Sequence, residues 1–218
     1  MKLALLYTLE ANIALFKPYL EQHLEMNKLD IKHYVHPELL QRAIEQGLSE
    51  QLIKAVQQVI QQIAQAGAEL IVCTCSTIGD IAENTPNVSA RVIRVDRPMA
   101  NQAVQAQRVR VFAALQSTLT PTLELIASCA QQQAKNPRVN AELVPQAWSY
   151  YLAGDTDNYA RTIAQHINQQ RLDDDVIVLA QASMAHATQY IQQPNISILN
   201  SPELAAHYLR EQLQFSQI

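Results

Sequence analysis

At 218 residues the chain can bury a substantial core, either as one large α/β domain or as two lobes of about 100 residues each. Its 16 basic and 20 acidic residues are intermixed and leave a formal net charge of -4, so nothing marks a nucleic-acid or anionic-membrane partner, and a small soluble ligand is the expectation. Three cysteines, two close together and one remote, do not build a disulfide framework and read as reduced thiols of a cytoplasmic protein.

The chain opens on Met1-Lys2-Leu3-Ala4-Leu5-Leu6-Tyr7, an apolar run of strand length without a small-residue cleavage pattern, which reads as a core strand rather than a targeting segment. Apolar runs of strand length then alternate with longer segments at helical period. This is the pattern of βα units around a mainly parallel sheet whose strands are buried on both faces. In the first half the predicted strands are residues 3–7, 31–35, 70–73 and 92–95. The clearest helix spans 49–66, where Leu52, Ala55, Val56, Val59, Ile60 and Ile63 share one face, Ser49 can cap the start and Gly67 ends it. The second half repeats the order, with predicted strands at 109–113, 138–143, 176–180 and 196–199 and a helix over 156–171. From Pro202 on, Leu204, Ala205, Tyr208, Leu209 and Leu213 fall at helical spacing and predict a last helix that returns to the first half. No apolar segment approaches the roughly 20 residues that cross a bilayer.

The halves superpose at an offset of about 107 residues, which sets Leu70-Ile71-Val72-Cys73-Thr74-Cys75-Ser76-Thr77 against Ile177-Val178-Leu179-Ala180-Gln181-Ala182-Ser183-Met184. This implies an internal duplication and two pseudo-symmetric α/β lobes, each a mainly parallel four-stranded sheet flanked by helices. Residues 1–96 with 202–218 form the expected first lobe and 97–201 the second. Loops at the carboxyl ends of the strands would line an active-site cleft between the lobes, where open α/β sheets bind ligands.

Cys75 is the centre of interest. It follows a run of β-formers and precedes Ser76, Thr77, Ile78 and Gly79, so it stands where a buried strand turns toward a helix. Unpaired N–H groups at a helix start favour anions, which predicts a thiol pKa lowered from about 8.5 toward neutrality and a place for a substrate carboxylate. A buried structural cysteine beside capping hydroxyls is the alternative on composition alone. The matching loop of the second half, with Ala182 and Ser183, favours function.

The segments Cys73-Thr74-Cys75-Ser76-Thr77-Ile78-Gly79, Val95-Asp96-Arg97-Pro98-Met99-Ala100, Gly154-Asp155, Val178-Leu179-Ala180-Gln181-Ala182-Ser183-Met184-Ala185 and Asn200-Ser201-Pro202 together resemble the aspartate/glutamate/hydantoin racemase superfamily over nearly the whole chain. The resemblance implies cofactor-independent chemistry at the carbon beside a carboxylate. In those racemases one cysteine from each lobe flanks that carbon, one thiolate removing a proton while the other thiol donates one. Cys75 matches the first-lobe cysteine, and Ser76 and Thr77 match the carboxylate-binding positions after it. Ala182 stands where the second cysteine is expected, so the two-thiol mechanism does not carry over, while Ser183 matches the adjacent hydroxyl position. Thr8, at the end of the first strand, either contacts substrate or caps. Asp96 either meets substrate or, in the favoured reading, orients the crossover and caps the next helix. His186, three residues beyond Ser183, is an auxiliary candidate beside the commoner outcome of an ordinary histidine.

Cys73 reads as strand packing rather than half of a metal site, and Cys129 as core. Trp148, Tyr150 and Tyr151 form an aromatic cluster read as lobe packing or a subunit contact. The expectations are therefore an enzyme that uses Cys75 as its single thiol on a small carboxylate, with no cofactor and no metal, or a carboxylate-binding or regulatory protein that keeps the cleft without the chemistry. An inert thiol on an oligomer scaffold is a third possibility, and a homodimer is the general prior for a soluble chain.

Overall fold

A computed structural model of the chain describes residues 1–215, so residues 216–218 of the expected first lobe lie outside the described residues. The chain divides into two compact units, Met1–Arg97 with the segment from Pro202 on, and Pro98–Ser201. The first contains strands β1 (Lys2–Tyr7), β2 (Asp30–Val35), β3 (Leu70–Cys73) and β4 (Arg91–Arg94). Helices α1 (Ala11–His23), α2 (Pro37–Gln46), α3 (Glu50–Gln65) and α4 (Gly79–Glu83) connect them. Helix α5 (Arg97–Ala103) leads into β5 (Arg108–Ala113), α6 (Gln116–Gln132), β6 (Arg138–Leu143), α7 (Ala147–Leu152), α8 (Thr156–Asn168), β7 (Val176–Leu179) and β8 (Ser197–Asn200), and α9 (Ser201–Phe215) follows.

Each unit holds a four-stranded, wholly parallel sheet, in the order β2-β1-β3-β4 in one and β6-β5-β7-β8 in the other. In β1 the period-two alternation sends Ala4 and Leu6 into one core with Leu39 and Leu40 of α2 and Leu52, Val56, Ile60 and Ile63 of α3. Tyr7, on the opposite face, packs edge-on to Phe16 of α1 at a ring separation of 6.1 Å. Each fully buried Leu, Ile or Val contributes roughly 1.5–3 kcal/mol, so the α3 face is a principal stabiliser of this unit. In the second unit Phe112, Ile177 and Leu179 pack against Tyr159, Ile163 and Ile167 of α8. Helix α9 lies against the start of β4, where Arg91 donates to the Tyr208 hydroxyl at 2.8 Å and to Gln212.

Two expectations need correction. Burial on both faces holds for the central strands β1, β3, β5 and β7, but the edge strands β2 and β6 are half-buried or exposed along most of their length. An edge strand has one neighbour, and Asp30-Ile31-Lys32-His33-Tyr34-Val35 carries the polar residues that suit such a position. The phase of the duplication also differs. The Thr74 N–H donates to the Leu6 carbonyl as the Ala180 N–H donates to that of Phe112, so the central strands of the two halves correspond at an offset of 106 residues, not 107.

Helix α3 starts at Ser49, whose side chain accepts from the Leu52 N–H at 3.3 Å, and ends before Gly67 at φ +93°. Replacing Ser49 by Ala removes the acceptor for an orphan helix donor and is expected to lower unfolding stability by about 1 kcal/mol, read from urea denaturation.

Candidate functional site

The first unit gathers its chemistry where β3 ends. Thr74 extends the ladder by one residue, its N–H and its hydroxyl both donating to the Leu6 carbonyl at 2.9 Å. Cys75, Ser76, Thr77 and Ile78 then form the turn into α4, and Cys75 is 8% exposed. The neighbouring hydroxyl residues Thr8, Ser76 and Thr77 are buried as well. Four groups donate toward the Cys75 sulfur: the Thr8 hydroxyl, the Ile78 N–H, the Thr77 N–H and the Thr77 hydroxyl. Thr8, Cys75 and Thr77 are thus brought together around one sulfur.

The expected lowering of the Cys75 pKa does not hold; the shift is upward. Burial pushes the thiol up, and the four donors offset it only in part. The physical reason is that α4 has five residues, too short for an appreciable dipole, while the sulfur has little contact with water. Cys73 is fully buried in β3 with its Sγ 3.6 Å from the Cys75 carbonyl, and burial pushes its thiol far up too. Cys129 is equally buried on α6. Among the described residues no group of three His, Cys, Asp or Glu side chains is placed to hold a metal ion.

Beneath the turn lies a residue that the sequence reading passed over. Arg94, 2% exposed, donates through Nε and Nη2 to both oxygens of Asp96, itself 0% exposed, at 2.7 and 3.0 Å. Its Nη2 also reaches the Ser76 carbonyl at 3.3 Å. Burial opposes the guanidinium charge, but Asp96 outweighs burial and holds Arg94 charged. Asp96 is therefore committed to an ion pair under the turn. A Cβ added at Gly79 would lie 2.9 Å from Arg94 Nε, so the guanidinium occupies the space that makes this position glycine. At the far end of α4, Arg97 grips both oxygens of Glu83. The signal for Arg94 was available: an arginine directly after the apolar pair Val92-Ile93 at the buried end of the strand, with an aspartate two residues on.

In the second unit the residue after Ala180, whose N–H donates to the Phe112 carbonyl as that of Thr74 does to the Leu6 carbonyl, is Gln181; it therefore corresponds to Cys75 in place of the expected Ala182, and Ala114 corresponds to Thr8. The contacts agree with this correspondence. The Gln181 Oε1 accepts from the N–H of Ala114 at 2.6 Å and of Leu115 at 3.2 Å, where in the first unit Thr8 approaches Cys75. Ala182 and Ser183 are buried at the start of a 3-10 segment, Ala182–Gln189. The Ser183 hydroxyl is 2.9 Å from that of Tyr159, whose ring lies 5.0 Å from Tyr151, which in turn stacks on Trp148. Those aromatics pack within the unit, while Tyr150 and His186 are exposed.

No protein-family model matches the chain, and no curated protein is similar to it in sequence. Solved structures do match its fold. Aspartate racemase of Picrophilus torridus is 15% identical with a TM-score of 0.70, covering 98% of this chain and 94% of that one. Glutamate racemase of Thermus thermophilus, in complex with β-chloro-D-alanine, is 15% identical with a TM-score of 0.69 over 99% of this chain and 81% of that one. Allantoin racemase of Klebsiella pneumoniae is 14% identical with a TM-score of 0.61, covering 100% of this chain and 89% of that one. The chain has the α/β fold shared by the aspartate, glutamate and allantoin racemases, with two four-stranded parallel sheets.

Burial raises the pKa of Cys73 and Cys75 above 9.0 and of Tyr7 and Tyr159 above 10.0, so the folded chain keeps these groups protonated where the unfolded chain ionises. Their contribution to stability is complete below about pH 9 and is lost as pH rises through 9 and beyond. Urea midpoints are expected to fall steadily between about pH 8.5 and pH 11, without a change in secondary structure before unfolding.

Proposed function

We propose that the chain is an enzyme acting on a small carboxylate, an amino acid or dicarboxylate, at its α-carbon, with Cys75 as its single working thiol. The observation that carries this reading is the convergence of the Thr8 hydroxyl, the Thr77 hydroxyl and two backbone N–H groups on one strand-end sulfur. Such donors stabilise a thiolate when it forms, and the same turn offers hydroxyls and N–H groups to a carboxylate. The fold supports it, since the solved structures that share it include amino-acid racemases, one of them holding β-chloro-D-alanine.

The chemistry is one-base. Cys73 and Cys129 are sealed in β3 and α6, so neither serves as the second thiol of a two-thiol racemase. Burial keeps Cys75 protonated at rest, which suits it to give its proton to the α-carbanion that decarboxylation leaves as carbon dioxide departs, more than to abstract one first. After the transfer the sulfur carries the negative charge, the four donors hold it, and a proton from water restores the thiol. Ser76 and Thr77, with Thr8, are the substrate-binding residues of this turn. Ser183 is engaged with Tyr159 and Asp96 with Arg94, so they support their surroundings.

One observation favours a second reading. The strand-end position of the second unit that corresponds to Cys75 carries Gln181, an amide that is neither an acid nor a base at neutral pH. A carboxylate-binding or regulatory protein with the same turn is the alternative function.

Cys75→Ser tests both. With a panel of 2-amino acids, hydantoins and malonate-type diacids in deuterated water, the wild-type chain is expected to incorporate deuterium at the α-carbon of one class, and the variant to lose at least about a hundredfold in rate. Equal rates contradict the enzymatic role of Cys75. A carboxylate that raises the melting temperature of the wild-type chain without any exchange or carbon dioxide release establishes the binding role.

A further inference from the structure

Resting on the reading of Cys75 as the working thiol, the geometry points to Arg94 as the positioning residue of the turn: by gripping the Ser76 carbonyl it aims the Thr77 N–H at the Cys75 sulfur. The Ser76 carbonyl and the Thr77 N–H belong to one peptide group, which is planar and trans, so the two bonds point in opposite directions. Arg94 Nη2 meets the oxygen end at 3.3 Å, and the hydrogen end is one of the donors to Cys75. Fixing one end of the group fixes the other. A cation on the carbonyl also polarises the amide and strengthens the N–H as a donor.

Three features hold Arg94 where this requires. Both its Nε and Nη2 are spent on Asp96, which leaves the guanidinium plane no freedom to rotate. Gly79 leaves the space the group fills, since a Cβ there would lie 2.9 Å from Nε and 3.2 Å from Cζ. The Gly79 N–H adds a second donor to the Ser76 carbonyl at 3.4 Å, so glycine and arginine hold the same oxygen. Arg94 meets the expected substrate site at the Ser76 backbone carbonyl. Its effect passes through the peptide, as a positioning role requires.

The test reads the pH profile of Cys75 alkylation by iodoacetamide, resolved by mass spectrometry, which needs no substrate and so separates this inference from the proposed activity. Breaking half of a buried ion pair endangers folding, so the first variant replaces both partners, Arg94→Met with Asp96→Leu. The second, Gly79→Ala, displaces the guanidinium without removing its charge. In each, the midpoint of the profile is expected to rise by about half a unit or more, because one donor to the thiolate is misaimed. The control Ile71→Val trims a fully buried methyl of β3, and is expected to lower the melting temperature and leave the profile in place. A wild-type profile in either folded variant overturns the inference, as does an equal shift in the control. If the double variant does not fold, Gly79→Ala decides alone. A shifted profile together with an inactive wild-type chain leaves the positioning role standing and removes the enzymatic reading.

Discussion

A guanidinium and a carboxylate lie out of reach of water at the end of β4, and much of the candidate site follows from keeping them satisfied. Taking two charges out of water costs several kcal/mol per ion, and the pair is tolerable only with near-ideal geometry and further hydrogen bonds. Arg94 and Asp96 stand two residues apart at the end of one strand, which puts both on the same side and allows the bidentate contact. The remaining donor capacity goes to the Ser76 carbonyl, which holds the turn after β3 against the end of β4. Arg97 and Glu83 fasten the far end of α4. The short helix that carries the turn is thereby fixed at both ends, and the Cys75 sulfur sits among its donors because the turn cannot drift.

The two units share a topology but differ in what they place at the matching strand end. Parallel sheets in this order present the ends of their central strands side by side, a natural location for a ligand site. In the first unit that location carries a thiol with hydroxyl and N–H donors. In the second it carries an amide whose oxygen is occupied by backbone N–H groups, and a serine tied to a buried tyrosine. One half has the composition of a chemical site and the other that of a structural one. This asymmetry is why a one-thiol mechanism is the reading that fits.

The central strands, helix α3 with its Ser49 cap and the strand-to-helix turn at Cys75 were legible because unbroken apolar runs and helical periodicity report burial directly. The same unbroken runs hid the phase of the duplication. Leu70-Ile71-Val72-Cys73 and Val176-Ile177-Val178-Leu179 are apolar at every position, so a slide of one residue leaves the match unchanged. Only backbone pairing fixes the register, and with it the partner of Cys75. The thiol pKa was misjudged because a sequence shows that a helix follows but not that it has one turn, nor that the sulfur is closed off from water. Arg94 was not legible from the residues around Cys75, because the support for that turn comes from the next strand and not from the segment that follows it.

The measurement that tests the account most directly is the rate of Cys75 alkylation near neutral pH, with and without millimolar amino acids, hydantoins and dicarboxylates. The account predicts slow reaction by a buried protonated thiol, and further suppression by one class of small carboxylate that seats on the Thr8, Ser76 and Thr77 donors. Suppression by none of them, together with the rate and pH profile of an ordinary exposed thiol, would contradict a carboxylate site at Cys75.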